Sequence, residues 1–170
     1  SSKSFLDVKD IEDPHCTIED IEKNFKGIIL LTGSFDSLIG KLFFKNLTEE
    51  VMILLKRFKK VFKEDIYIEI QRHNDEGEKL FEKFLINTSK NLTLPIIATQ
   101  EVYYLDKDMF EAHDAYLCIG EKTYVNVKER RKYTDQHYLK SSEEMYELFK
   151  DLPDALENNE NFPFRVSYRP

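Results

Sequence analysis

Three short apolar runs, set apart by stretches of helical periodicity, constrain this chain more than any other feature. They are Ile28-Ile29-Leu30-Leu31, Ile66-Tyr67-Ile68-Glu69-Ile70 and Ile96-Ile97-Ala98. Thr48 to Phe62, after the first run, carries Val51, Leu54, Leu55, Phe58, Val61 and Phe62 at helical spacing. After the second, roughly Asp75 to Thr88 carries Leu80, Phe81, Phe84 and Leu85 in the same way. Crossovers of that length permit parallel pairing. The expected class is α/β, with parallel strands at about 27–32, 66–71 and 95–99 and flanking helices. Right-handed crossovers would bring all three strand ends to one face.

In parallel α/β sheets, ligands and metals gather at the C-terminal ends of the strands. Here those ends read Thr32-Gly33-Ser34, Gln71-Arg72-His73 and Thr99-Gln100-Glu101-Val102-Tyr103-Tyr104. The rim offers one acid, Glu101, and an aromatic, Tyr103, where a second ligand would be useful. His73 with Glu101 makes two groups, short of the three protein ligands usual for zinc. His73 is expected to be a rim residue hydrogen-bonded to Glu69 or Glu101. His15, His113 and His137 do not follow strands, so no three-histidine site is expected. His113 shares the helical spacing of Phe110, Leu117 and Cys118 and reads as a satisfied helix residue. Ser34 lacks the glycine-flanked elbow of a strained nucleophile and reads as a helix cap. Five glycines supply neither a phosphate-cradling loop nor a dinucleotide fingerprint.

Elsewhere, Thr17 is expected to cap a first helix and Thr48 to cap the long one. A helix from Asp108 to Ile119 closes at Gly120. A polar excursion from Glu121 to Lys140 follows, with an extended piece at Tyr138-Leu139. Ser141 and Glu144 form a capping box, and a short helix covers Pro153 to Asn158. Net charge is −7, and the clusters Lys56-Arg57-Lys59-Lys60 and Lys128-Arg130-Arg131-Lys132 are diluted by acids. An autonomous DNA-binding surface is therefore not expected. No 18-residue apolar stretch or signal peptide is evident. Two distant cysteines, Cys16 and Cys118, fit a reducing cytoplasm. Starting at Ser1 without Met, the chain reads as a piece of a longer protein.

Several segments together carry a family resemblance. They are Gly27 to Gly33, Tyr67 to His73, Leu94 to Tyr104, Phe110-Glu111-Ala112-His113-Asp114 and Ser142 to Phe149. Their order and spacing, over roughly Thr17 to Asn158, resemble the later part of the polymerase-and-histidinol-phosphatase (PHP) domain of bacterial replicative DNA polymerases. The resemblance implies a partial, distorted seven-stranded (β/α) barrel. Residues 1–160 would be the C-terminal part of the domain and 161–170 a linker to the rest of the polymerase. The parent would add deoxynucleotides to a primer, with magnesium held in other domains and no cofactor in this segment. Implied partners are the remaining polymerase chain and a proofreading exonuclease subunit, with DNA met only through the parent and no membrane.

Family members with an active metal site carry Cys or His at the position of Ser34, Asp at Glu101 and His at Tyr103. These three positions therefore read as a degenerate metal rim beside His73, with no metal and no catalytic residue. Tyr103 would have to ligate as an aryloxide, against an ordinary pKa of about 10. A surviving metal-dependent phosphoesterase or 3'-5' exonuclease stays open, as does a free-standing interaction protein. Strands cut from a barrel leave edges, so the isolated segment is expected to self-associate.

Overall fold

Every residue of β2 (Ile66–Ile70) is buried, because it is the middle strand of the sheet. In the computed structural model, which describes residues 15–167, β2 lies between β1 (Leu30–Leu31) and β3 (Ile96–Ala98). Both pairings are parallel, with Leu30 opposite Ile66 and Ile68 opposite Ile96. The helices are α1 (Ile18–Lys23), α2 (Leu38–Phe44), α3 (Thr48–Phe62), α4 (Glu78–Leu92), α5 (Phe110–Gly120), α6 (Ser142–Phe149) and α7 (Pro153–Arg165). Ile66, Ile68 and Ile70 join one apolar cluster with Val51, Leu55 and Phe58 of α3 and Phe81 and Leu85 of α4. At about 1.5–3 kcal/mol for each large side chain buried, this layer dominates stability. Tyr67 and Glu69 point to the opposite face, as alternation in a strand requires.

The α/β class and the parallel order are as expected, but several boundaries move. β1 shrinks to two half-buried residues, since among the described residues it is paired only on its β2 side. Gly77, in the left-handed region at φ +86°, delays the start of α4 to Glu78, whose carboxylate accepts from the backbone N–H of His73. Ser37, not Ser34, caps α2: its Oγ accepts from the Gly40 N–H at 3.1 Å. Thr48 is the first helical residue of α3, with Leu47 at the cap position. Gly120 lies within α5, and the left-handed turn falls on Lys122 instead. The capping boxes at Thr17/Asp20 and Ser141/Glu144 form as read.

The larger correction concerns the chain end. Helix α7 continues to Arg165, through the segment read as the start of a linker. Arg165 pairs with Asp65 at 2.6 Å and donates to the Tyr67 hydroxyl, so this stretch is docked on the sheet. Helix α7 also covers the outer edge of β3. Asn158 Nδ2 donates to the Ile96 carbonyl at 2.7 Å. Asn159 donates to the Ala98 carbonyl at 2.7 Å and accepts from the Ala98 N–H at 3.1 Å. A side-chain amide carries one acceptor and adjacent donors, so Asn159 stands in for a neighbouring strand. The expected exposed edge is thus closed on the β3 side.

Replacing Asn159 with Leu keeps the bulk but strands both polar groups of Ala98. We expect a loss of about 1–3 kcal/mol in urea unfolding, together with concentration-dependent dimers in sedimentation. Unchanged stability and a monomer at all concentrations would refute the edge-closure role.

Candidate functional site

One carboxylate ties together the C-terminal ends of all three strands. Glu69, only 9% exposed, accepts from the Gly33 N–H after β1 at 3.0 Å. Its other oxygen accepts from the Thr99 hydroxyl after β3 at 2.5 Å and from Gln71 Nε2 at 3.1 Å. The Glu69 N–H in turn donates to Thr32 Oγ1 at 3.0 Å. Gly33 is required where the chain leaves β1: its φ is +75°, and a Cβ there would lie 2.5 Å from that of Ser37. Glu69 is thus a rim organiser, a role not anticipated for it.

Beyond this knot lies a cavity of about 190 Å³ lined by Ser34, His73, Asp75, Glu101, Tyr133 and His137 among others. The backbone of Glu101 organises it. Its N–H donates to His73 Nε2 at 3.1 Å. Its carbonyl lies 3.1 Å from His137 Nδ1 and can only accept, so Nδ1 carries the proton and Nε2 is bare. The two imidazoles stack with centroids 4.0 Å apart and planes 7° apart. Burial first, then the neighbouring His137, pushes the His73 pKa down to about 3. Burial also lowers that of His137. Both rings are neutral near pH 7.

His137 was not expected at the rim, because no local pattern in the 121–140 excursion points inward. Long-range bonds bring it there. Tyr103 N–H donates to the His137 carbonyl at 2.9 Å, and Leu139 N–H to the Tyr104 carbonyl at 3.0 Å. This makes the extended piece at Tyr138 a parallel bridge to Tyr104. Arg130 latches the excursion onto α5 through a bidentate pair with Asp114, 2.6 Å at both contacts. His113 packs on Tyr103 with its buried Nδ1 unpartnered among the described residues, so it is not the satisfied helix residue expected. His15 is exposed.

Of the positions that the resemblance implies for a metal rim, Tyr103 is engaged through its side chain and Ser34 through its backbone. The Tyr103 phenol is pushed well above its ordinary pKa by burial, then by hydrogen bonds with Glu101 and Tyr133, so it keeps its proton. The Ser34 carbonyl accepts from the Ser37 N–H at 3.1 Å and hydroxyl at 2.6 Å. One carboxylate and two protonated hydroxyls do not fit a resident metal. Among the described residues, the metal-type donors that converge are His73, Asp75 and His137, all within 4.8 Å of one another.

Glu69→Ala should cost about 3 kcal/mol or more, since it leaves Gly33 N–H, Thr99 and Gln71 without their acceptor. Glu69→Gln, which keeps one acceptor, should fall between; denaturant unfolding reads both, and an unaffected Ala variant would refute the knot. Arg130→Met should speed amide exchange across residues 121–136. Arg130 holds the Asp114 carboxyl below its ordinary pKa. The latch is therefore complete above about pH 4 and is lost as pH falls through the lowered folded value. After correction for intrinsic rates, wild-type protection should decline in acid while the variant stays unprotected throughout; equal protection of the two would count against the latch.

The PHP domain family matches residues 1–73. DNA polymerase III subunit alpha of Caulobacter vibrioides is 33% identical over 168 residues, 99% of this chain and 15% of that protein. The Rickettsia bellii subunit is 34% identical over 154 residues, 91% of the chain and 13% of the protein. That of Borreliella burgdorferi is 36% identical over 146 residues, 85% of the chain and 13% of the protein. The chain thus spans about one seventh of the length of these relatives. By the PHP match and by collinear similarity along nearly its whole length, the chain belongs to the DNA polymerase III alpha subunit family, within the PHP-domain region.

Proposed function

We propose that the protein carrying this segment is a replicative polymerase that performs DNA-templated DNA synthesis. Magnesium is held by carboxylates in its other domains. The observation that carries this reading is the collinear similarity over 99% of the chain. On this reading β1, β2 and β3 are the last three strands of a seven-stranded barrel. The outer edge of β1, unpaired among the described residues, is where the preceding strand would add. The setting is the cytoplasm; among the described residues no helix is long and apolar enough to cross a membrane.

Within that protein the segment acts as a scaffold that neither polymerises nor hydrolyses. Its support is the rim itself, where Glu69, Tyr103 and the Glu101 backbone are committed to internal hydrogen bonds. The scaffold docks the proofreading exonuclease subunit. Helix α5 and the loop after it leave Tyr116, Ile119, Tyr124 and Val125 more than half exposed. Apolar groups clustered in this way suit a protein partner.

Two measurements on the complete polypeptide test this. Metal-dependent phosphodiester hydrolysis should be absent; hydrolysis abolished by Glu101→Ala would establish a surviving phosphoesterase or 3'-5' exonuclease instead. Tyr116→Glu with Ile119→Glu should weaken exonuclease binding at least tenfold while primer extension is unchanged. Undiminished binding would move the docking face elsewhere.

A further inference from the structure

We infer that Asp75 and His137, with the Glu101 carboxylate, hold a divalent first-row cation of the zinc class, displaced from the positions of Ser34 and Tyr103. His137 is 2% exposed, and its Nε2 has no hydrogen-bond partner among the described residues. Because Nδ1–H is given to the Glu101 carbonyl, Nε2 presents a bare lone pair. A backbone carbonyl on the far nitrogen is how metal-ligating imidazoles are oriented. What Nε2 faces is a second acceptor, Asp75 Oδ2, at 3.8 Å.

Two acceptors this close at the cavity wall, one of them buried, call for a cation between them. The gap is too long for a hydrogen bond. Across a tetrahedral zinc, with bonds of about 2.0–2.1 Å, the two atoms would stand about 3.4 Å apart. The Asp75 side chain is 28% exposed, which lets it close the difference and gives an ion its way in. Charge points the same way: Asp36, Asp75, Glu78 and Glu101 line the cavity against Lys132 alone. A neutral imidazole with a carboxylate favours zinc over magnesium or calcium. His73 is not a ligand, since its Nε2 lone pair accepts from the Glu101 N–H. The ion cross-links the excursion carrying His137 to the β2–α4 loop carrying Asp75, with the Glu101 carboxylate of the same cavity as third protein ligand and water completing the shell. This goes beyond the scaffold reading and does not depend on it.

The test uses the complete polypeptide, stripped of metal and reloaded with zinc. Wild type should retain one more equivalent than His137→Phe or Asp75→Asn, whose affinities should fall at least tenfold. Ser34→Ala with Tyr103→Phe should retain it. Equal zinc in wild type and both ligand variants would overturn the inference, as would loss confined to the Ser34/Tyr103 double variant. X-ray absorption on wild type at one equivalent guards against misfolded variants: one imidazole in the shell is expected, and an all-oxygen shell overturns the assignment. Metal content is read apart from hydrolysis, so failure here and failure of the scaffold reading are distinguishable.

Discussion

The buried carboxylate of Glu69 is the interaction on which the rim depends. Withdrawing a carboxylate from water costs several kcal/mol, and only a full set of donors offsets it. The set comes from three strand ends at once: Gly33 after β1, Gln71 after β2 and Thr99 after β3. Because Thr99 is held, the chain two residues on is held as well. There the Glu101 backbone takes His73 on its N–H and His137 on its carbonyl. A charge in the sheet thus sets the tautomer of a ring on a distant excursion.

Around this centre, arginines join pieces that the backbone alone would leave loose. Arg72, at the end of β2, grips Glu82 of α4 and Asp151 before α7 and lies 4.8 Å over the Phe149 ring of α6. Arg130 performs the same task for the excursion through Asp114. Planar guanidinium groups suit such joints, because they meet carboxylates in bidentate geometry and stack on rings. Asparagine does the equivalent work at the sheet edge, where Asn158 and Asn159 answer the open backbone groups of β3. The polar chemistry of this segment is spent largely on holding itself together, which is what a scaffold within a larger enzyme requires.

Where local physics decides, the residues were legible. The apolar periodicity of Val51, Leu54, Leu55 and Phe58 defines α3 to within its first residue. The capping boxes at Thr17 and Ser141 form because cap and partner are three residues apart and need nothing else. Ser34 instead offers its backbone carbonyl to the Ser37 hydroxyl, and Ser37 caps the helix. Helix α7 runs past the Asn158 end expected from sequence although Asn158, Asn159 and Asn161 are poor helix formers. Two of them are kept in the helix by their bonds to β3.

The sequence by itself determined the parallel α/β class, the order of elements, the family and the poverty of ligands at Ser34, Glu101 and Tyr103. These rest on periodicity and residue type, which act over a few positions. Only the tertiary structure decided that Glu69 ties the rim, that α7 closes the β3 edge, and that His137 meets His73 and Asp75. Each of those joins residues from about 30 to 64 positions apart. Their bonds depend on where distant backbone lands, and no local pattern carries that information.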